Sequence, residues 1–291
     1  MFQEPSGEEQ AIECGLRRAV TWIETTQSSL WVGTTAGLYL YRDLRAPAGS
    51  FLSNETINAL TSTSATVYVA TRRNWGLYEI PPTLRLTPIE PPEVTTAEYM
   101  EPRALAIWNN ALAVASSAGL YRCALTRREW ELVDREVFQH LLATNTRLWA
   151  CGQQLIGFDR QYRAIERAAV RITMSPALEQ SRIWWATAVG GTIRLHSYSL
   201  GLGKTQHEEF RLDDAALRVG GGGQATALAR WGAFWYVGLG GRGRGIVLRL
   251  NFRTKRADLA WEGTSVSALV AWRNALMVGT RDGLYALQRA Q

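Results

Sequence analysis

The sequence predicts an all-β fold, a seven-bladed β-propeller of four-stranded antiparallel blades closed by an N-terminal strand that completes the last blade. Three observations carry this expectation. A short motif recurs along the chain, its copies are about one blade apart, and the segments around each copy alternate apolar and non-apolar residues with the period of a strand.

The first copy of the motif reads Ser29-Leu30-Trp31-Val32-Gly33-Thr34-Thr35-Ala36-Gly37-Leu38-Tyr39, and the last reads Ala275-Leu276-Met277-Val278-Gly279-Thr280-Arg281-Asp282-Gly283-Leu284-Tyr285. Between them lie Val67-Tyr68-Val69-Ala70-Thr71 with Gly76-Leu77-Tyr78, and Leu112-Ala113-Val114-Ala115-Ser116 with Gly119-Leu120-Tyr121. Weaker copies begin at Leu148, Ile183 and Trp235. With the first valine as marker, the copies fall at Val32, Val69, Val114, Ala150, Trp185, Val237 and Val278. Their intervals of 35 to 52 residues scatter about the ~40 to 50 that one four-stranded blade occupies. Seven units fill the 291 residues, which are expected to form one domain.

Each unit resolves into strands. About ten residues before a marker stands an alternating segment such as Val20-Thr21-Trp22-Ile23, Ile57-Asn58-Ala59-Leu60, Ala225-Thr226-Ala227-Leu228 or Val266-Ser267-Ala268-Leu269. These are expected as innermost strands, whose small residues suit a crowded position. The marker segment is the second strand. On one face of it, large residues (Trp31, Tyr68, Trp149, Trp184, Tyr236, Met277) precede small ones (Gly33, Ala70, Ala115, Cys151, Ala186, Gly238, Gly279), the alternation that lets neighbouring sheets interdigitate. Gly37, Gly76, Gly119 and Gly283 mark hairpin turns, and Leu-Tyr opens the third strand. Trp130–Val133 and Ala257–Trp261 are the clearest fourth strands. A helical repeat would need apolar residues at intervals of three and four, which these units lack. The last repeat stops after its third strand near Leu287, so residues 1–17, through Ala11-Ile12-Glu13-Cys14-Gly15-Leu16, are expected to supply the missing fourth.

The string Leu30-Trp31-Val32-Gly33-Thr34, three residues, then Leu38-Tyr39 resembles the repeat of the two-component regulator propellers, found in sensory ectodomains of hybrid histidine kinases. It covers the first and last units well and the middle ones in outline. The resemblance implies a propeller fold. The architecture is also similar to that of WD-repeat proteins, although their Gly-His and Trp-Asp signatures do not occur here.

Composition narrows the function classes. No stretch approaches the ~20 apolar residues needed to cross a bilayer, and the acidic start Met1–Glu9 lacks the basic and apolar regions of a secretory signal. Cys14, Cys123 and Cys151 are odd in number and scattered, as small core residues in a reducing compartment would be. A cytoplasmic location without a membrane contact is therefore expected. The charge of +6 is carried almost wholly by arginine, with Lys204 and Lys255 the only lysines.

Loops between second and third strands are expected on one propeller face. They carry Arg72, Arg73 and Trp75 in the second unit, Arg242 and Arg244 in the sixth, and Arg281 in the seventh. Arginine beside an aromatic ring grips acidic peptides, phosphates or bases, and both types are enriched at interface centres. These six residues are the expected partner- or anion-binding site. The glycines of Arg218–Gln224 read as a flexible linker, since no phosphate-binding fingerprint surrounds them. The proline-rich run from Ile80 to Pro92 reads as edge or loop.

No catalytic residue, metal site or cofactor is expected. Of the three histidines, His140 begins an inner strand and reads as a satisfied structural residue, His196 lies in a third strand, and His207 with Glu208 and Glu209 reads as a solvated insertion. No Ser-His-Asp order or nucleophile elbow occurs. The expected function is a non-enzymatic scaffold, monomeric within a complex, that engages a protein through one face. The alternatives are a sensor of an anionic small molecule or nucleic acid and, more remotely, a lyase or hydrolase.

Overall fold

The fold is read from a computed structural model, which describes residues 9–92, 99–220, 223–241 and 243–289. Two compact units are distinguished, one of residues 21–41 and 48–173, the other of residues 1–20, 42–47 and 174–291. Each is described by itself.

The N-terminal strand β1 is Glu9–Glu13. Next come four sheets of the first unit, each a run of consecutive strands. They are β2 (Val20–Thr25) to β3 (Leu30–Thr34), β4 (Gly37–Tyr41) and β5 (Gly49–Phe51); then β6 (Ile57–Ser62), β7 (Val67–Thr71), β8 (Leu77–Ile80) and β9 (Thr87–Pro88). The third is β10 (Pro102–Trp108), β11 (Ala111–Ser116), β12 (Gly119–Ala124) and β13 (Trp130–Asp134), and the fourth β14 (His140–Ala143), β15 (Leu148–Cys151), β16 (Leu155–Phe158) and β17 (Ala164–Ala168). The proline-rich run supplies only the two-residue edge strand β9, because proline cannot donate to an interior ladder.

The second unit holds β18 (Ala177–Glu179), β19 (Arg182–Val189), β20 (Thr192–Ser199) and β21 (Lys204–Leu212), followed by helix α1 (Asp214–Gly220). After the helix come β22 (Gln224–Trp231), β23 (Phe234–Gly240), β24 (Gly245–Asn251) and β25 (Arg256–Gly263). These two groups of four join into one eight-stranded sheet through a short parallel contact, Arg211 with Arg256 and Leu212 with Ala257. The last sheet is β26 (Val266–Trp272), β27 (Ala275–Thr280) and β28 (Leu284–Arg289), completed by β1 in antiparallel register from Glu9 opposite Arg289 to Glu13 opposite Tyr285. The first strand of the chain thus completes the last sheet, as expected.

The repeated threonine has a structural task. Thr34 Oγ1 donates to the Gly37 carbonyl (2.9 Å), Ser116 Oγ to that of Gly119 (3.1 Å) and Thr280 Oγ1 to that of Gly283 (2.9 Å). All three hydroxyls are buried, and each closes the hairpin between second and third strands. Gly37 and Gly119 have φ of +135° and +132°, which side chains rarely tolerate.

Neighbouring sheets meet through the small column. A Cβ on Gly33 would come 2.7 Å from the Ile57 side chain, and one on Gly238 2.5 Å from Val266. Large and small residues interleave accordingly, with Tyr68, Ala70, Leu105 and Val114 in one core cluster and Tyr236, Val266 and Val278 in another. Packing of this kind is non-directional, but a hydrogen bond accompanies it. Inner strands carry a bulge at Asn58, Arg103, Thr226 and Ser267, where the register skips one residue. At Asn58, Thr226 and Ser267, and likewise at Thr21 of β2, the polar side chain reaches the carbonyl just before the corresponding position of the next inner strand. Thr21 Oγ1 donates to Ile57 O (2.6 Å), Asn58 Nδ2 to Pro102 O (3.0 Å), Thr226 Oγ1 to Val266 O (2.8 Å) and Ser267 Oγ to Val20 O (2.6 Å).

Two segments fold differently from the expectation. Arg218 to Gly220 end a helix and are not linker. Asp213 starts it, with its Oδ1 accepting from Ala216 N (2.7 Å) and its carbonyl from Leu217 N (3.0 Å), ahead of the good helix formers Ala215, Ala216 and Leu217. Gly221 and Gly222 lie outside the described residues. His207, Glu208 and Glu209 stand on the exposed strand β21 and not in an insertion.

The β1 pairing predicts that deleting residues 1–17 lowers Tm by about 10 °C or more in a thermal melt, since a whole outer strand and the buried Cys14 and Leu16 are lost. The inter-sheet bond predicts that Thr226→Val, which keeps the shape but orphans a carbonyl, destabilises by about 1–3 kcal/mol in urea unfolding.

Candidate functional site

The loop between β7 and β8 holds three of the six expected residues. Its backbone is pinned to the segment leading into β10: Tyr99 Oη donates to Arg72 O (2.7 Å), Met100 N to Asn74 Oδ1 (2.8 Å) and Trp75 N to Met100 O (2.8 Å). Arg73 is ion-paired with Glu55, and Arg72 Nε lies 3.8 Å from Glu101 Oε1. Both guanidinium groups are exposed, but a carboxylate of the same unit already faces each.

Trp75 is a correction to the sequence reading. At φ +47° the chain turns back, and the indole is only 8% exposed. It packs edge-on against Tyr121 (6.0 Å, 82°) and Trp130 (4.8 Å, 79°), with Ile89 and Met100 in the same cluster. The residue is core, because an aromatic ring on a tightly pinned loop gains more by burial than by exposure.

The other expected residues belong to the second unit. Arg242 lies outside the described residues. Arg244 and Arg281 are exposed on one continuous run of loops. Gly223, entering β22, lies against Gly240, which in turn lies against Ser265. Gly245 lies against Thr264 and Ser265, and Arg281 N donates to Ser265 O (3.1 Å). At the end where α1 stands, Gly191 of the β19–β20 turn touches Leu217, and Leu212 N donates to Gly191 O (3.1 Å). Two apolar side chains protrude there, Val189 at 59% and Leu217 at 46% exposure. Among the described residues, none of Arg218, Arg244 and Arg281 has a carboxylate within ion-pair distance. Sequence reasoning missed Val189 and Leu217, since it did not foresee the helix. The Asp213 start signal ahead of two alanines is present in the sequence, beside the glycines that suggest a linker.

Buried titratable groups lie elsewhere. His140 pairs with Cys151 at a place where β6, β10, β22 and β26 have Ala59, Ala104, Ala227 and Ala268. Burial pushes its pKa down to about 4, and Nδ1 has no hydrogen-bond partner among the described residues. It is therefore a neutral, half-buried imidazole whose Nδ1 is not satisfied. Glu24 on β2 accepts a hydrogen bond from Ser62 Oγ (3.1 Å), yet burial pushes its pKa up to about 7. His196 stacks on Trp185 (5.1 Å, 7°), and Thr187 Oγ1 lies 2.9 Å from its Nε2. Burial pushes the Cys14 and Cys151 thiols up to about 12, which removes them as thiolate nucleophiles. Among the described residues, no group of three His, Cys, Asp or Glu is placed to hold a metal ion.

Solved structures of similar fold identify the architecture. Virginiamycin B lyase from Staphylococcus aureus superposes with a TM-score of 0.72 at 10% identity, over 97% of this chain and 100% of that one. YCF48 bound to D1 peptide gives 0.69 at 12%, over 100% and 97%. The fold is a β-propeller. The extracellular domain of BT4673 from B. thetaiotaomicron gives 0.68 at 15%, covering 98% of this chain and 40% of that longer chain. At such identities the propeller likeness is one of fold, and fold leaves function open. No family model matches the sequence, and no curated protein does.

The two shifted carboxyl and imidazole groups have opposite pH signatures. Glu24, raised in the fold from 4.5 to about 7, contributes stability below about pH 4.5 that is lost as pH rises through 7. His140, lowered from 6.5 to about 4, contributes stability above about pH 6.5 that is lost as pH falls through 4. Glu24→Gln should raise the unfolding free energy at pH 8 by up to about 3 kcal/mol and leave it unchanged near pH 4, as measured by urea titration at both.

Proposed function

We propose that this chain is a non-enzymatic scaffold, a seven-bladed propeller that engages a protein partner through the loops carrying Arg244 and Arg281. The five four-stranded sheets and the two halves of the eight-stranded sheet are its blades. The observation that carries the reading is that one unit carries both exposed aliphatic side chains, Val189 and Leu217 beside Arg218, and arginines with no carboxylate partner, Arg244 and Arg281. An apolar centre with arginine around it is the composition of a protein interface. Arg72 and Arg73, already faced by Glu101 and Glu55, contribute less. YCF48 was solved with a peptide bound, which supports a peptide- or protein-binding use of such a scaffold. We place the protein in the cytoplasm, a reading that its three buried cysteines support, and take it as a monomer within a complex. The resemblance of its motif to two-component regulator propellers supports a recognition role.

A second reading is a sensor of an anionic small molecule or nucleic acid, favoured by the same three arginines having no carboxylate partner. Salt separates the two, because phosphate contacts weaken steeply with ionic strength and an interface with an apolar centre does not. In affinity capture from the native host, Leu217→Asp should reduce retention of the partner at least tenfold, and the partner should survive 0.5 M salt. Retention indifferent to Leu217→Asp but abolished by Arg218→Glu, Arg244→Glu and Arg281→Glu together, and by salt, would instead favour the anion sensor.

A further inference from the structure

We propose a second binding site, of opposite polarity, in the first unit: a cleft of about 620 Å³ beside β9 and β13 that receives an arginine side chain of a peptide segment. Its volume falls within the roughly 300–1,000 Å³ of ligand pockets.

The chemistry of the walls selects the occupant. One wall is the run 88–92, in which Pro88, Pro91 and Pro92 have no N–H and the N–H of Ile89 is committed to Leu77 O (2.9 Å). This wall presents carbonyl and carboxylate oxygens and almost no donors. Opposite it stands Trp130, whose Nε1 donates to Glu90 O (2.9 Å), so that both walls are tied together and the ring is held in place. Trp75, packed edge-on behind it, fixes that ring further. The rim adds charge. Arg128 also lines the cleft, its charge answered by Glu79, and the exposed Glu90 and Glu129 have no cationic partner among the described residues, so the lining keeps an acidic excess. An acceptor-only wall, two uncompensated carboxylates and an aromatic face together suit a planar cation rich in donors. A guanidinium meets all three demands, forking to carboxylate and stacking on indole, better than a compact ammonium.

The site is independent of the basic loop surface in residues, unit and sign. It is tested with a fluorescein-labelled tetra-arginine peptide, followed by fluorescence anisotropy at 50 mM salt. The protein as a whole carries +6 and repels such a probe, so binding reports a local acidic site. Saturable binding is expected, weakened fivefold or more by Glu90→Gln with Glu129→Gln, two exposed changes whose fold is checked by circular dichroism. Trp130→Phe, which keeps a ring but not its tie to Glu90, should weaken it as well. Absence of saturable binding to the native protein, or a double variant within fivefold of it, would overturn the proposal.

Discussion

The structure depends on a hydrogen bond that passes from sheet to sheet. Apolar faces hold two twisted sheets together but do not choose how far one slides along the other. Bulges in β6, β10, β22 and β26 interrupt the ladder, and a buried carbonyl without a partner is costly. The polar side chain of the preceding sheet answers it, as Thr21 answers Ile57 and Thr226 answers Val266. Stagger between sheets is thereby set by directional contacts, and glycine at positions such as Gly33 and Gly238 lets the backbones come close enough for them. The loops can then vary without disturbing the frame, since each is anchored at its base by a buried hydroxyl such as Thr34 or Thr280.

Variation in the loops is where the charges part company. Arginines that look alike in composition differ in what faces them: Arg73 has Glu55 and Arg72 has Glu101, whereas Arg244 and Arg281 face solvent. A guanidinium already near a carboxylate has less to gain from an anionic partner, because the new contact must replace the old one. The acidic cleft beside Trp130 shows the converse, carboxylates left over after Arg128 has taken Glu79.

How much of this was legible depended on the range of the interactions. Strand identity is local, and the alternation in segments such as Ile57–Leu60 and the Gly-Thr ending of the motif carried it. The pairing of β1 with β28 could be inferred because a missing strand and a spare one were both visible. Site residues were harder. Glu55 and Glu101 are remote in sequence from the arginines they face, and nothing in Arg72-Arg73-Asn74-Trp75 announces them. Trp75 was misplaced because loop position was equated with exposure, while the left-handed backbone there folds the ring inward. The helix after Asp213 escaped notice because the glycines following it dominated the reading. His140 occupies an alanine position of the repeat, a substitution whose consequence appears only when its neighbours close over it.

The pairing of β1 with β28 also sets an order of events during synthesis. Glu13 leaves the ribosome long before Tyr285, its partner, and at roughly 5–20 residues per second the interval is on the order of 15–60 s. Throughout that time β1 has no β28 to pair with, and Ile12, Cys14 and Leu16 stay in water. Glu9 and Glu13 put like charges along the waiting strand, and like charges oppose pairing between neighbouring nascent chains.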